Sequence, residues 1–395
     1  MKKIFLFSIL TIFIILGCSN QNLPNNDSGS KNLTKSQVNC NEYHGSLLEH
    51  LKADRAYKSN LLAPIKATGS NEILGYSFKK TVTLREPSSG IFEKGHCRGI
   101  GGIAVKMIDG SLLPHTENIV ITLNGRMFVA SAAIFTPAAI YEITKNQDGT
   151  LSAAAVVPGV DKNNAPCAFT GLSKYGNTLF ATCQNFLVQG SKPNLIRVKV
   201  GKSTIDEIKY AEITMNQPNG MALDLLGNLY ITDTYAMGGA SVVKIKGTFK
   251  KDFNIEQIDF ITPADYPAGT SQLFPNGIQI IGNTLYFADA IHIFKVKLKL
   301  NGSAGALSIL YSLPSTFEKI IDDFAIVKNK LAISVIPLPD AVVRKNGYIQ
   351  IINRSNGQEL KQIYAENRYE PSSVVFDRFG FFEKNALYIK LSAIN

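Results

Sequence analysis

Pro218-Asn219-Gly220-Met221-Ala222-Leu223-Asp224-Leu225-Leu226-Gly227-Asn228-Leu229-Tyr230 decides the fold. It reads as a turn, a short apolar run, a tight Gly-Asn turn and a second run carrying an aromatic residue. Short apolar runs bounded by Gly, Asn and Asp are strand signals. Pro275-Asn276-Gly277-Ile278-Gln279-Ile280-Ile281-Gly282-Asn283-Thr284-Leu285-Tyr286 repeats the same order. Weaker copies begin at Glu117, Thr170, Asp322 and Ser372, so successive starts are separated by 53, 49, 57, 46 and 50 residues. A period near 50 with four strand-like pieces per unit marks a β-propeller. In the unit starting at Asn219 the four pieces fall at 221–225, 228–233, 241–246 and 256–261.

Six units predict an all-β, six-bladed β-propeller over residues 73–395. The last unit has room for only two strands before Asn395. N-terminal strands, expected within 73–84 and 101–108, should complete the last blade and close the ring, which removes a sheet edge. A β-sandwich or a pair of small β domains is the competing arrangement. The 395 residues are 45% apolar and 18% charged, which excludes a disordered, collagen-like or coiled-coil chain.

The first residues read as an address. Lys2 and Lys3 precede an apolar run over residues 4–16, too short to span a bilayer, and Gly17-Cys18 follows. Ile15-Leu16-Gly17-Cys18 resembles a bacterial lipobox, in which the Cys carries the lipid. A plain signal peptide with an incidental Cys is the alternative. The expected organisation is a lipoprotein signal peptide over 1–17, a flexible lipid-anchored tether over 18–40, an N-terminal extension over 41–72 and the propeller thereafter. The location expected is the bacterial cell envelope, at the outer membrane or the periplasmic face if the cell is Gram-negative. The formal net charge of +10 is scattered rather than blocked, so it reads as a solvated surface compatible with anionic lipid. Nucleic acid is not an expected partner of an exported chain.

With Cys18 lipidated, Cys40, Cys97, Cys167 and Cys183 remain, and four cysteines allow three pairings. Cys167 and Cys183 flank a hairpin turning at Tyr175-Gly176-Asn177, which favours 167–183 and 40–97 in an oxidising compartment. Free buried thiols are the other reading.

In a propeller the first strand of each blade lines the central channel. The repeat starts therefore form a ring at one mouth: Glu117, Thr170, Asn219, Asn276, Asp322 and Ser372. Every one carries a side-chain oxygen. Glu117, Asn219, Asn276 and Asp322 offer two carboxylates and two amide carbonyls, a set suited to a hard divalent cation, above all Ca²⁺. Pro-Asn-Gly is also ordinary turn chemistry, in which Asn bonds its own backbone. The second strands should return to the same mouth at Ser131, Cys183, Asp233, Asp289 and Val335. There Asp233 and Asp289 either orient the ring or cap their strands. Thr170, Ser372 and Asp289 are the expected supports around the ligands.

The segments from Pro218-Asn219-Gly220 to Asp233 and from Pro275-Asn276-Gly277 to Asp289 resemble the gluconolactonase and senescence-marker-protein family, and more distantly the paraoxonases. The resemblance covers about residues 100–395. It implies a six-bladed propeller with one divalent metal on Glu117, Asn219, Asn276 and Asp322, and hydrolysis of a lactone or ester. Two motifs depart from the family pattern. Glu117-Asn118-Ile119-Val120 stands for Glu-Gly-Pro-aromatic, and Ile321-Asp322-Asp323-Phe324 stands for Pro-Asp-Gly. Two functions follow as expectations. One is a Ca²⁺-dependent lactone or ester hydrolase with Asp322, Asp323 or Asp233 as the base. The other is a non-catalytic envelope lipoprotein that binds or scaffolds an envelope protein or small molecule.

Overall fold

The computed structural model describes residues 61–64, 72–73, 76–77, 103–107, 116–132, 138–147, 151–186, 188, 190–314, 319–337, 347–364, 369–377 and 386–393. The leader, Cys18, the tether, Cys40 and Cys97 lie outside them.

The repeat units fold as four-stranded antiparallel blades. The first blade is Thr116–Ile121, Met127–Ser131, Ala139–Lys145 and Leu151–Pro158. The second is Ala168–Tyr175, Thr178–Gln184, Asn194–Val200 and Ile205–Glu212. The third is Pro218–Leu223, Leu229–Asp233, Val242–Lys246 and Glu256–Ile261. Pro275–Ile281, Thr284–Asp289, His292–Lys297 and Ser308–Ser312 make the fourth. Lys319–Val327, Lys330–Pro337, Tyr348–Asn353 and Glu359–Tyr364 make the fifth.

The sixth group joins the two ends of the chain. Tyr369–Asp377 and Ala386–Ala393 pair with each other, and Ala386–Ala393 pairs in turn with Leu61–Pro64. Ile103–Met107 is the outermost strand, close to its expected place. The third strand differs from expectation. It is the apolar run Leu61–Pro64, upstream of 73–84, while among the described residues Glu72–Ile73 and Tyr76–Ser77 pair with each other alone. Ile103–Met107 also pairs in parallel with Leu151–Ala153 of the first blade, which fuses the sixth and first groups into one eight-stranded sheet.

Each inner strand lies beside the inner strand of the next blade, and Tyr369–Asp377 lies beside Thr116–Ile121, so the six close into a ring. The core consists of layers between blades. Phe128, Ile140, Phe169 and Leu179 fill one layer, and Tyr230, Phe260, Phe287 and Phe294 another. All are buried, as expected of sheets packed face to face.

Candidate functional site

Every inner strand bulges at the same register position. Thr116 pairs with Ser131, Phe169 with Cys183, Pro218 with Asp233, Pro275 with Asp289, Ile321 with Val335 and Pro371 with Leu391, and in each the register then slips. The residue after each of these is Glu117, Thr170, Asn219, Asn276, Asp322 or Ser372. The ring anticipated from the repeats is thus a ring of bulge residues, where a strand re-aims a side chain out of its ladder.

Asn219, Asn276, Asp322 and Ser372 line one cavity of about 20 Å³ together with Asn118 and Asp323. That is room for a single water or ion. Asn276 Nδ2 donates to Asp322 Oδ1 at 2.7 Å. Thr170 turns elsewhere: it is buried, with its hydroxyl 3.0 Å from that of Thr182. Glu117 has its backbone in the ring, and its side chain lies outside the described residues. Among the described residues no group of three His, Cys, Asp or Glu forms a metal cluster. The oxygen donors at the cavity are therefore mostly amides and hydroxyls around Asp322 and Asp323. This set has the oxygen chemistry that a hard cation takes and offers no soft ligand among the lining residues.

A second ring, one residue further on, was missed in the sequence apart from Asp323. It consists of Asn118, Gly171, Gly220, Gly277, Asp323 and Ser373. The three glycines let the next inner strand come close: a Cβ on Gly171 would lie 2.0 Å from Asn219 O, one on Gly220 2.4 Å from Asn276 O, and one on Gly277 2.7 Å from Asp323 Oδ1. Where a side chain replaces glycine it staples neighbouring blades. Asn118 Oδ1 accepts from Leu172 N–H at 3.0 Å, and Asp323 Oδ2 accepts from Val374 N–H at 3.3 Å and Ser373 Oγ at 2.8 Å. Leu172 and Val374 occupy equivalent positions in their blades. Asp323 Oδ1 accepts from Phe324 N–H at 2.8 Å. Burial pushes the Asp323 carboxyl up to about 6, against the pull of these donors.

Asp233 and Asp289 close the loop that enters each inner strand. Asp233 accepts from the N–H groups of Asn216 at 2.8 Å, Gln217 at 2.7 Å and Tyr235 at 3.3 Å. Asp289 accepts from Leu273 and Phe274 N–H and from the Tyr266 hydroxyl, the last two at 2.5 Å. Both are almost fully buried, which raises Asp233 and takes Asp289 up to about 6. The second blade closes the same corner covalently. Cys183 stands at the register of Asp233, Cys167 at that of Asn216, and the two form a disulfide with Cα atoms 5.5 Å apart. The sequence leaves Asp233 open as a base, an orienting group or a strand cap, and Asp289 as a support or a cap. In the structure both carboxylates accept from backbone N–H groups, as caps do.

A larger cavity of about 470 Å³ opens between the second and third blades at the same end, lined by Gln184, Met215, Asn216, Asp233, Ala236 and Val243 among others. Ala236 and Gly239 belong to the loop that follows the second strand of the third blade.

No family model matches the chain, and no curated protein matches it. Solved structures do. The periplasmic gluconolactonase of Pseudomonas aeruginosa is 12% identical, covering 72% of this chain and 75% of that one, with a TM-score of 0.43. A putative gluconolactonase is 13% identical over 71% of this chain and 89% of its own, also at 0.43. A catalytically inactive virginiamycin B lyase from Staphylococcus aureus, solved with quinupristin, is 17% identical over 75% and 90%, at 0.42. Likeness at this level assigns no activity.

Proposed function

We propose that this chain is a Ca²⁺-dependent hydrolase of a lactone or ester, held to the bacterial cell envelope by a lipid on Cys18. The observation that carries the reading is the convergence of Asn219, Asn276 and Asp322, from three blades, on one ion-sized cavity. The resemblance of their motifs to the gluconolactonase family adds the substrate class.

In this reading Asn219, Asn276 and Asp322 hold the cation, with Glu117 as the fourth donor. The cation would supply a Lewis acid for the carbonyl oxygen. Asn276 orients the Asp322 carboxylate through its N–H on Oδ1. Asp322 takes the proton of the attacking water as the water oxygen bonds the carbonyl carbon, and the C–O bond to the leaving alkoxide breaks. The alkoxide then receives that proton. Asp322 is the base because Asp323 and Asp233 are tied to backbone N–H groups.

The cavity size favours one other reading, a binding lipoprotein without turnover. About 20 Å³ on the axis admits an ion but no substrate, and the roomy cavity lies off it. Metal content of the purified protein, and hydrolysis of a lactone and aryl-ester panel with and without chelator, separate the two. Turnover lost with chelator and in Asp322→Ala supports the hydrolase. Bound Ca²⁺ without turnover supports the binding protein, and absence of metal refutes the site.

A further inference from the structure

The antiparallel hairpins put the candidate site at one end of the propeller and the turns within each hairpin at the other. That opposite face carries large apolar side chains at turn tips, positions usually held by polar residues. Leu123, Tyr175 and the adjacent Leu225 and Leu226 project from the inner hairpins of the first three blades, and Phe249 and Leu300 from the outer hairpins of the third and fourth. Leu225 and Leu226 are 80% and 81% exposed.

These tips are held in place. Asp224 locks the Leu225-Leu226 turn, accepting from Leu226 N–H and Asn228 N–H at 2.9 Å and from Asn228 Nδ2 at 2.7 Å. Arg197, almost fully buried, donates to Thr248 O and Lys250 O at 2.7 Å and so fixes the 248–251 turn. The two turns touch, since Thr248 Oγ1 donates to Gly227 O at 2.5 Å. The Phe249 ring in turn meets Tyr175 edge-on at 5.2 Å. The result is a rigid apolar patch spanning two blades.

Cations surround it. Lys145, Lys202, Lys250, Lys251, Lys297 and Lys299 are exposed on the same set of turns. Asp206 and Asp252 share the face, and Glu256 there faces Lys246 at 3.4 Å. The opposite end has the other balance. There Lys162 and Lys192 are both paired with Glu212, at 2.6 and 2.8 Å, and Lys319 lies over the Tyr348 ring.

We propose that this face seats on an anionic lipid surface, with Leu225, Leu226 and Phe249 entering the headgroup layer and the surrounding lysines meeting the lipid phosphates. Leucine and lysine together are what such a surface selects: apolar tips gain from leaving water, and each lysine near an anionic leaflet strengthens attachment. An anionic leaflet meets both needs at once, with an apolar interior for the turn tips and a layer of phosphates for the lysines. The candidate site then opens away from the membrane. The inference does not depend on the hydrolase reading.

The chain contains no tryptophan, so one introduced tryptophan reports alone. Full-length protein carrying Leu226→Trp is mixed with phosphatidylglycerol vesicles or phosphatidylcholine vesicles containing brominated lipid. Met237→Trp, at an 80% exposed site on the opposite end, is the control. Circular dichroism checks that both variants fold. The expected result is a blue shift and quenching for Leu226→Trp on phosphatidylglycerol only, and neither for Met237→Trp. Adding Lys250→Glu and Lys251→Glu should weaken the quenching response at least about tenfold in lipid concentration. Equal quenching of both probes, or none at Leu226→Trp, overturns the proposal. So does a lipid-free blue shift that grows with protein concentration, which would assign the patch to a second copy of the chain.

Discussion

Gly220→Ala tests the close approach of neighbouring blades. The added Cβ would sit 2.4 Å from the Asn276 carbonyl oxygen, where real Cβ atoms stay beyond 3.0 Å, so the fourth blade's inner strand must retreat. The obstacle is backbone, which gives less readily than a side-chain tip. Thr232 Oγ1 donates to that same carbonyl at 2.6 Å, and the retreat stretches this bond as well. Overpacking costs about 1–3 kcal/mol and a weakened buried hydrogen bond about 1 more. The expected loss is about 2–4 kcal/mol, a factor of roughly thirty to a thousand in the unfolding equilibrium. Urea unfolding followed by circular dichroism measures it. Gly282→Ala is the control, because Gly282 has φ +58° and nothing within 4 Å of an added Cβ. It carries only backbone strain, about 1–2 kcal/mol. On the proposed reading, in which Asn276 holds a cation, calcium affinity by titration calorimetry should fall for Gly220→Ala and hold for Gly282→Ala. If Gly220→Ala is no less stable than Gly282→Ala, the close-packed ring is wrong.

Other outcomes follow from the same contacts. Burial raises Asp289 in the folded state, so between pH 4 and about 6 the folded chain keeps a proton that the unfolded chain releases. Stability therefore falls as pH rises through that window, by up to about 3 kcal/mol from this group. Asp289→Asn should remove that part of the slope in denaturant midpoints measured across pH, leaving the like contribution of Asp323. Replacing Cys167 and Cys183 together by Ala frees a loop with a sequence separation of 16 and should cost about 3 kcal/mol in urea unfolding. Asn118→Ala leaves Leu172 N–H without its acceptor across the blade boundary and should cost about 1–3 kcal/mol. An unchanged midpoint would remove the staple from the account.

The bulge ring was legible because its chemistry is local. A Pro-Asn-Gly start recurs at a steady period, and even the degenerate copies at Glu117, Asp322 and Ser372 land on the same register. The second-strand ends were legible for the same reason, since a hairpin of known length returns to where it began. The staples were not legible. Asn118 and Asp323 act on residues 54 and 51 positions away in sequence, and one sequence does not say which blades touch. Their shared role shows only when the registers are aligned in space. Nor does any local signal tell that Cys167 stands at the register of Asn216, so that a disulfide closes in the second blade the corner that Asp233 closes by hydrogen bonds in the third. The strand Leu61–Pro64 was missed because four apolar residues carry no period, and its identity comes from the slot that it fills.

The pairing of Leu61–Pro64 with Ala386–Ala393 bears on how the molecule is born. Synthesis delivers Leu61–Pro64 long before that partner, and until then its neighbour is Ile103–Met107, which also pairs with Leu151–Ala153 of the first blade. Each blade from the first to the fifth can assemble from contiguous chain as it emerges, while the gap between Leu61–Pro64 and Ala386–Ala393 stays open until the latter is made. Sealing it requires contacts between residues more than three hundred positions apart, such as Leu61 with Leu391, the slowest kind to form. Closing the ring is therefore a late event, in which a segment made early must be kept waiting for a distant one.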